Sequence, residues 1–250
     1  MSFEGTKVLI TGGARGIGEA TATAFRDKGA VVAIGGRTHE AFDGFCQRNG
    51  EQRVVPALGE VGTQAGAHDV VDRAVKALGG LDILVNSAGV FEEVPIEEVT
   101  QDHWDRTLSV NAGGTFFCSQ AALTWLNASG GNIVNVASDA GLIGYPNGCV
   151  YSASKAAVVN MTRAMALELA GRVRINCVCP GNVDTDMIHR MAAQTPNAEQ
   201  YLAKARRRAP LRRMARPQEV AGAILYLASA EAKFTHGAIL SVDGGGVCGF

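Results

Sequence analysis

The 250-residue sequence predicts one α/β domain, a doubly wound, seven-stranded, mostly parallel sheet with helices on both faces. Three observations carry that reading. Apolar runs of strand length recur seven times, longer stretches with helical spacing separate most of them, and a glycine-rich turn follows the first run. Strands that alternate with helices form parallel sheets covered on both faces, because each crossover helix packs back onto the sheet.

The runs are KVLI at 7–10, AVVAI at 30–34, RVVPAL at 53–58, LDILVN at 81–86, NIVNVA at 132–137, RVRINCVC at 172–179 and AILSV at 238–242. Helical spacing marks 19–28, 65–78 and 151–170. At 47% hydrophobic residues the chain can bury one large core, and no linker, low-complexity tract or repeat divides residues 1–250. A formal charge of −1 excludes a general attraction to nucleic acid or to anionic membranes. No run reaches membrane-spanning length, and the glycine-rich turn comes too early for a signal-peptide core. The sequence therefore predicts a cytoplasmic protein whose partners are small molecules. Cys46, Cys118, Cys149, Cys177, Cys179 and Cys248 lack the paired spacing of a zinc site and read as reduced core thiols, with no metal.

Between the sixth and seventh strands, residues 183–215 are polar and basic and break the alternation. An insertion there reads as a substrate lid. Its run Lys204, Arg206, Arg207, Arg208, Arg212 and Arg213 reads first as a solvated face or subunit contact, and second as an attractor of anionic substrates.

The first strand ends in Thr11-Gly12-Gly13-Ala14-Arg15-Gly16-Ile17-Gly18. A glycine-rich turn between strand and helix lets backbone N–H groups approach a pyrophosphate, and the helix N-terminus adds about half a positive charge. No Gly-Lys-Ser/Thr ending follows, which excludes a P-loop. The second strand ends in Gly35-Gly36-Arg37, where users of NAD carry an acid. Arg37, aided by Arg15, suits a 2′-phosphate instead, so the preferred cofactor is NADP over NAD.

Tyr151 and Lys155 lie one helical turn apart in YSASK. A phenol with a pKa of about 10 is a weak base at neutral pH, and a neighbouring cation favours its ionised form. Ser138 follows the fifth strand and is placed to hydrogen-bond a substrate oxygen; Asn111 puts a polar group where a helical pattern calls for burial. Glu60 after the third strand, Asn86 through Gly89 after the fourth and Pro180-Gly181 after the sixth share the carboxyl rim of the sheet, where open parallel sheets bind ligands.

Over its whole length the chain resembles the short-chain dehydrogenase/reductase family of the Tyr-x-x-x-Lys type, from the glycine turn through Asn86-x-Ala-Gly89, Asn111, Ser138, Tyr151, Lys155 and Pro180-Gly181 to Val242-Asp-Gly-Gly245. The resemblance implies a Rossmann-type fold and hydride transfer between a nicotinamide and a carbonyl/alcohol couple. It implies that Gly12, Arg15, Gly16, Ile17 and Gly18 line the pyrophosphate and adenosine end, Asn86, Ala88 and Gly89 the adenosine ribose side, and Thr185, with Pro180, Gly181 and Val183, the nicotinamide side. Tyr151 would be the general acid/base, Ser138 would hold the reacting oxygen, Lys155 would also bind the nicotinamide ribose, and Asn111 would anchor a relay water. Glu60-Val61 stands where the family commonly has Asp-Val against the adenine, and Ser87 replaces an Asn.

Ala140, Gly141, Tyr145 and Cys149 are the residues expected to face a small, mostly apolar pocket for a ketone or secondary alcohol. Apolar groups around more than one face of the 151–170 helix predict a subunit contact, and family members similarly assemble as tetramers, which predicts a homotetramer. Two rivals stand beside the carbonyl/alcohol reading: a 3-oxoacyl-carrier reductase whose basic lid docks an acidic carrier, and a non-catalytic dinucleotide-sensing protein.

Overall fold

In the computed structural model, which describes residues 1–248, all seven apolar runs become strands. They are β1 (Lys7–Thr11), β2 (Val31–Gly36), β3 (Val54–Leu58), β4 (Ile83–Asn86), β5 (Asn132–Val136), β6 (Arg174–Pro180) and β7 (Ile239–Val242). The sheet order is β3-β2-β1-β4-β5-β6-β7. Every neighbouring pair is parallel, so the sheet is wholly rather than mostly parallel. The order turns back between β1 and β4, and a crevice opens beyond the carboxyl ends of strands at such a point.

Residue alternation along the strands divides the interior into two cores. Val8, Ile10, Val32, Ile34, Ile83, Val85, Val134 and Val136 face one side. There they meet Ala22 and Phe25 of α1 (Gly16–Arg26), Phe45 of α2 (His39–Asn49) and, from a helix late in the chain, Val220 and Ile224 of Pro217–Ala228. Leu9, Ala33, Leu84, Ile133 and Ile175 face the other side and meet α3 (Gln64–Leu78). Beyond α3, α5 (Gly114–Ser129) and α6 (Cys149–Glu168) cover the rest of that face, and α4 (Gln101–Leu108) packs against α6. This two-sided burial is why the strands read as unbroken apolar runs. The insertion folds as α7 (Asp186–Ala193) and α8 (Ala198–Arg207), and Pro217–Ala228 is α9.

Polar groups buried between the layers fix α5 and α6 against the strand ends. Asn86 donates to Asn135 Oδ1 at 2.9 Å and to Ser119 Oγ of α5 at 3.0 Å, and Asn135 donates to Thr162 Oγ1 of α6 at 2.9 Å. All four side chains are buried. Four of the six cysteines are core thiols as expected, whereas Cys149 and Cys248 are exposed because they sit at the start of α6 and in the tail. Truncating Asn135→Ala strips partners from Asn86 and Thr162 together, and chemical denaturation is expected to register a loss of about 1–3 kcal/mol.

Candidate functional site

Between β1 and α1 the chain makes a turn that only glycine fits. Gly12 has φ +66°, and a Cβ on it would lie 2.9 Å from Ala88 Cα; one on Gly18 would lie 2.2 Å from Gly12 O. Thr11, whose role the sequence did not disclose, closes this turn onto β4 by accepting from Ser87 N and Ala88 N, both at 3.1 Å. Helices α2, α3 and α4 are capped by the hydroxyls of Thr38, Thr63 and Thr100, whereas α1 has no side-chain cap. Its first N–H groups are left for an anion, so a dinucleotide pyrophosphate fits this cradle.

Thr185 stands over the cradle, its Cγ2 3.3 Å from where a Gly16 Cβ would be, and Ile17 lines the adjoining cleft with Pro180, Gly181 and Val183. Arg15 and Arg37 are exposed and, among the described residues, neither side chain has a hydrogen bond or ion pair. Arg48, by contrast, is committed to Glu19 at 2.8 Å. Glu60 is exposed at the end of β3, while Val61 is buried against Gly114. Asn86 departs from expectation in one respect. Its side chain turns into the core, so only its backbone is presented to the rim.

The reacting groups gather beside this cradle. Ser138 ends the stretch after β5 with its Oγ donating to Asp139 Oδ1 at 3.0 Å and accepting from Ala140 N at 3.2 Å. Lys155 is 5% exposed, donates to Val136 O at 3.0 Å, and holds its Nζ 5.8 Å from the centre of the Tyr151 ring. Asn111 lies in a single wide turn, Ser109–Gly113, where the ladder shifts to i+5 bonding, and is fully buried. Such turns recur at functional sites. Its side chain is spent on Val90 N at 2.8 Å, Val90 O at 3.0 Å and Ser154 Oγ at 2.9 Å. Gly89 makes room for both groups: a Cβ there would meet Asn111 Oδ1 at 3.3 Å and Lys155 Nζ at 3.5 Å.

A cleft of about 110 Å³ opens over Ser138 and Tyr151, walled by Phe91, Ala140 and Tyr145 on one side and Met187, Ile188 and Tyr201 on the other. The Phe91 ring lies 4.5 Å from that of Tyr151 and 5.7 Å from that of Tyr145. Ala140 and Tyr145 face the cleft as expected. Cys149 does not: it is the exposed first residue of α6 and lies outside the cleft lining. Gly141 is likewise turned away and packs on α6, since a Cβ there would lie 2.7 Å from Lys155 C. Phe91, Met187, Ile188 and Tyr201 escaped the sequence reading, because a single residue in the loop after β4, or on the short lid helices α7 and α8, carries no signal of the face it turns to the cleft.

A family model described as Enoyl-(Acyl carrier protein) reductase matches residues 12–246. The chain belongs to the short-chain dehydrogenase/reductase family. It is 36% identical to the 3-oxoacyl-[acyl-carrier-protein] reductase FabG of Thermotoga maritima, across 98% of this chain and 99% of that one. It is 38% identical to meso-2,3-butanediol dehydrogenase of Serratia marcescens, across 98% and 96%. The ligand-free aldohexose dehydrogenase of Thermoplasma acidophilum superposes with a TM-score of 0.86 at 33% identity, over 96% of this chain and 94% of that one. Relatives of this kind act on CH–OH/C=O couples, and this short-chain dehydrogenase/reductase is an oxidoreductase of that class.

Burial sets the protonation of the acid/base pair and reverses one expectation. It pushes the Tyr151 phenol above its ordinary value of 10.0, a rise only partly countered by a hydrogen bond with Ser138. Burial also lowers the Lys155 ammonium to about 8, with the Cys177 and Cys179 thiols pulling the other way. Removing water penalises phenolate and ammonium alike, and it is the largest cause of both shifts. A phenolate-absorbance titration of the protein alone, wild type minus Tyr151→Phe, should therefore show Tyr151 still protonated at pH 10; a transition below pH 9 would contradict the burial.

Proposed function

We propose that this protein interconverts a small ketone and its secondary alcohol with NADP(H) as the hydride partner and Tyr151 as general acid/base. The observation carrying this reading is the convergence of Ser138, Tyr151 and the buried Lys155 on one small cleft beside the uncapped end of α1. Gly12, Gly16 and Gly18 would hold the pyrophosphate, Lys155 and the Asn86–Gly89 turn the riboses, and Thr185 the carboxamide. Bound there, a nicotinamide supplies or accepts the hydride.

In reduction the Ser138 hydroxyl would turn its one proton from Asp139 to the carbonyl oxygen and fix that oxygen toward Tyr151. The phenolic proton moves onto that oxygen as the new C–H bond forms. A phenol raised above its ordinary value carries its proton at neutral pH and is ready as an acid. In oxidation the phenolate must form first, so the alcohol-oxidising rate should rise with pH. Lys155, one turn away, is an ammonium only below about pH 8, so its charge stabilises a phenolate formed during turnover near neutrality and is lost as the pH rises further. Asn111, anchored to Val90 and Ser154, would keep its turn open for a relay water to Lys155.

The preference for NADP rests on Arg15 and Arg37, two uncommitted cations near the end of β2, where the acid that receives the ribose hydroxyls of NAD is missing. Residues 183–215 serve as the substrate lid. Leu167 is 83% exposed on α6, and Trp125 of α5 and Trp104 of α4 are also exposed, which supports burial between subunits of a homotetramer. A second reading keeps one observation: Lys204, Arg206, Arg207 and Arg212, on and after α8, are exposed and, among the described residues, lack ion pairs, as a dock for an acidic acyl carrier would require. A carrier-linked 3-oxoacyl substrate turned over far faster than its free thioester would favour it.

Replacing Tyr151→Phe is expected to leave dinucleotide binding intact and lower kcat by about 10²- to 10⁴-fold. Steady-state turnover together with fluorescence titration of NADPH checks both halves. Replacing Arg37→Ala should raise the KM for NADPH about tenfold and leave that for NADH nearly unchanged. Equal changes for both nicotinamides would refute the role given to Arg37.

A further inference from the structure

Against Tyr145 and Tyr201, two walls of the cleft, Glu93 Oε1 accepts hydrogen bonds from both phenols at once, from Tyr201 at 2.8 Å and from Tyr145 at 3.1 Å. The arrangement joins three separate parts of the chain: the loop after β4, the loop after β5, and α8 of the lid. Glu93 is half-buried, and no Lys, Arg or His among the described residues stands within ion-pair distance of it. Its second oxygen, Oε2, has no hydrogen-bond partner among those residues. The Arg208 guanidinium lies over the Tyr145 ring, 3.9 Å from its centre, and counters part of the rise in that phenol.

A half-buried carboxylate without a counter-ion costs free energy unless donors reach it. Two phenols supply part of that, and both belong to residues that wall the cleft above Tyr151. The free acceptors left at this end are Glu93 Oε2 and the lone pairs of the two phenol oxygens. Burial, together with the Glu93 charge, raises both phenols, Tyr145 to about 12, so they stay neutral at working pH. Between this acceptor cluster and the acid/base pair stands the Phe91 ring, edge-on to Tyr145 and tilted against Tyr151.

From this geometry we infer that Glu93 is a specificity-determining residue, receiving a second hydroxyl of the substrate while Ser138 and Tyr151 handle the first. The substrate class is a diol, polyol or hydroxylated ring. This rests on the carbonyl/alcohol reading and sharpens it.

The test compares kcat/KM for meso-2,3-butanediol and for 2-butanol in the wild type and in Glu93→Gln, which keeps an oxygen for both phenols but removes the charge. The expected result is a fall of about ten- to a hundredfold in the diol preference, mostly through KM, with 2-butanol nearly unchanged. Parallel losses on both alcohols, or an unaltered preference, would overturn the proposal and leave Glu93 as a tie between lid and loop. If the wild type oxidises neither alcohol with either nicotinamide, the carbonyl/alcohol reading fails on its own account. Saturation-transfer NMR of the diol on the wild type against Glu93→Gln then decides the subsite: a signal lost in the variant supports it and a signal retained overturns it.

Discussion

The arrangement depends on a buried ammonium. Lys155 brings a positive charge to the carboxyl end of β5, out of reach of solvent, with the Val136 carbonyl as its one hydrogen-bond partner among the described residues. A charge in such a place is unfavourable, which is why its pKa falls to about 8. The two hydrophobic cores on either face of the sheet are what hold it there. Neighbouring residues are chosen around it: Gly89 for its missing Cβ, Gly141 for its close approach to the Lys155 backbone, and Val136 for a carbonyl aimed along the strand end.

That constraint explains the polar network behind the site. The segment from Tyr151 to Lys155 must sit at a fixed height above the strand ends, and α6 has few polar handles for this. Ser154 donates to Tyr151 O and accepts from Asn111, and Thr162, two turns on, is tied through Asn135 and Asn86 to α5. Asn111 reaches Ser154 because the helix around it widens to i+5 bonding, which carries its side chain under Val90. Rotation of α6 by a small angle would break several of these bonds together, so the spacing of phenol and ammonium is built into the packing.

Much of the fold was legible because its strands are buried on both faces. Val8, Leu9 and Ile10 face alternate cores, so no polar residue interrupts them and the run stands out. Glycines and the Tyr-Lys pair were legible for a different reason, since backbone approach and proton transfer admit few residue types. Side-chain direction was not legible. Asn86 turns inward because it lies at the last position of β4 beneath α5, and Cys149 turns outward because it begins α6. Nor was the direction of the Tyr151 shift, which follows from how much water Phe91 and the lid exclude. Glu93 was invisible because its significance lies in two phenols distant along the chain, Tyr145 and Tyr201.

The most direct test concerns Lys155 itself. An NMR titration of the lysine Cε groups in the intact protein, assigned by difference from Lys155→Met, is predicted to show one lysine titrating near 8 that disappears in the variant. Should every lysine titrate near the ordinary 10.5, the ammonium is not buried as described and the electrostatic basis of the site is contradicted.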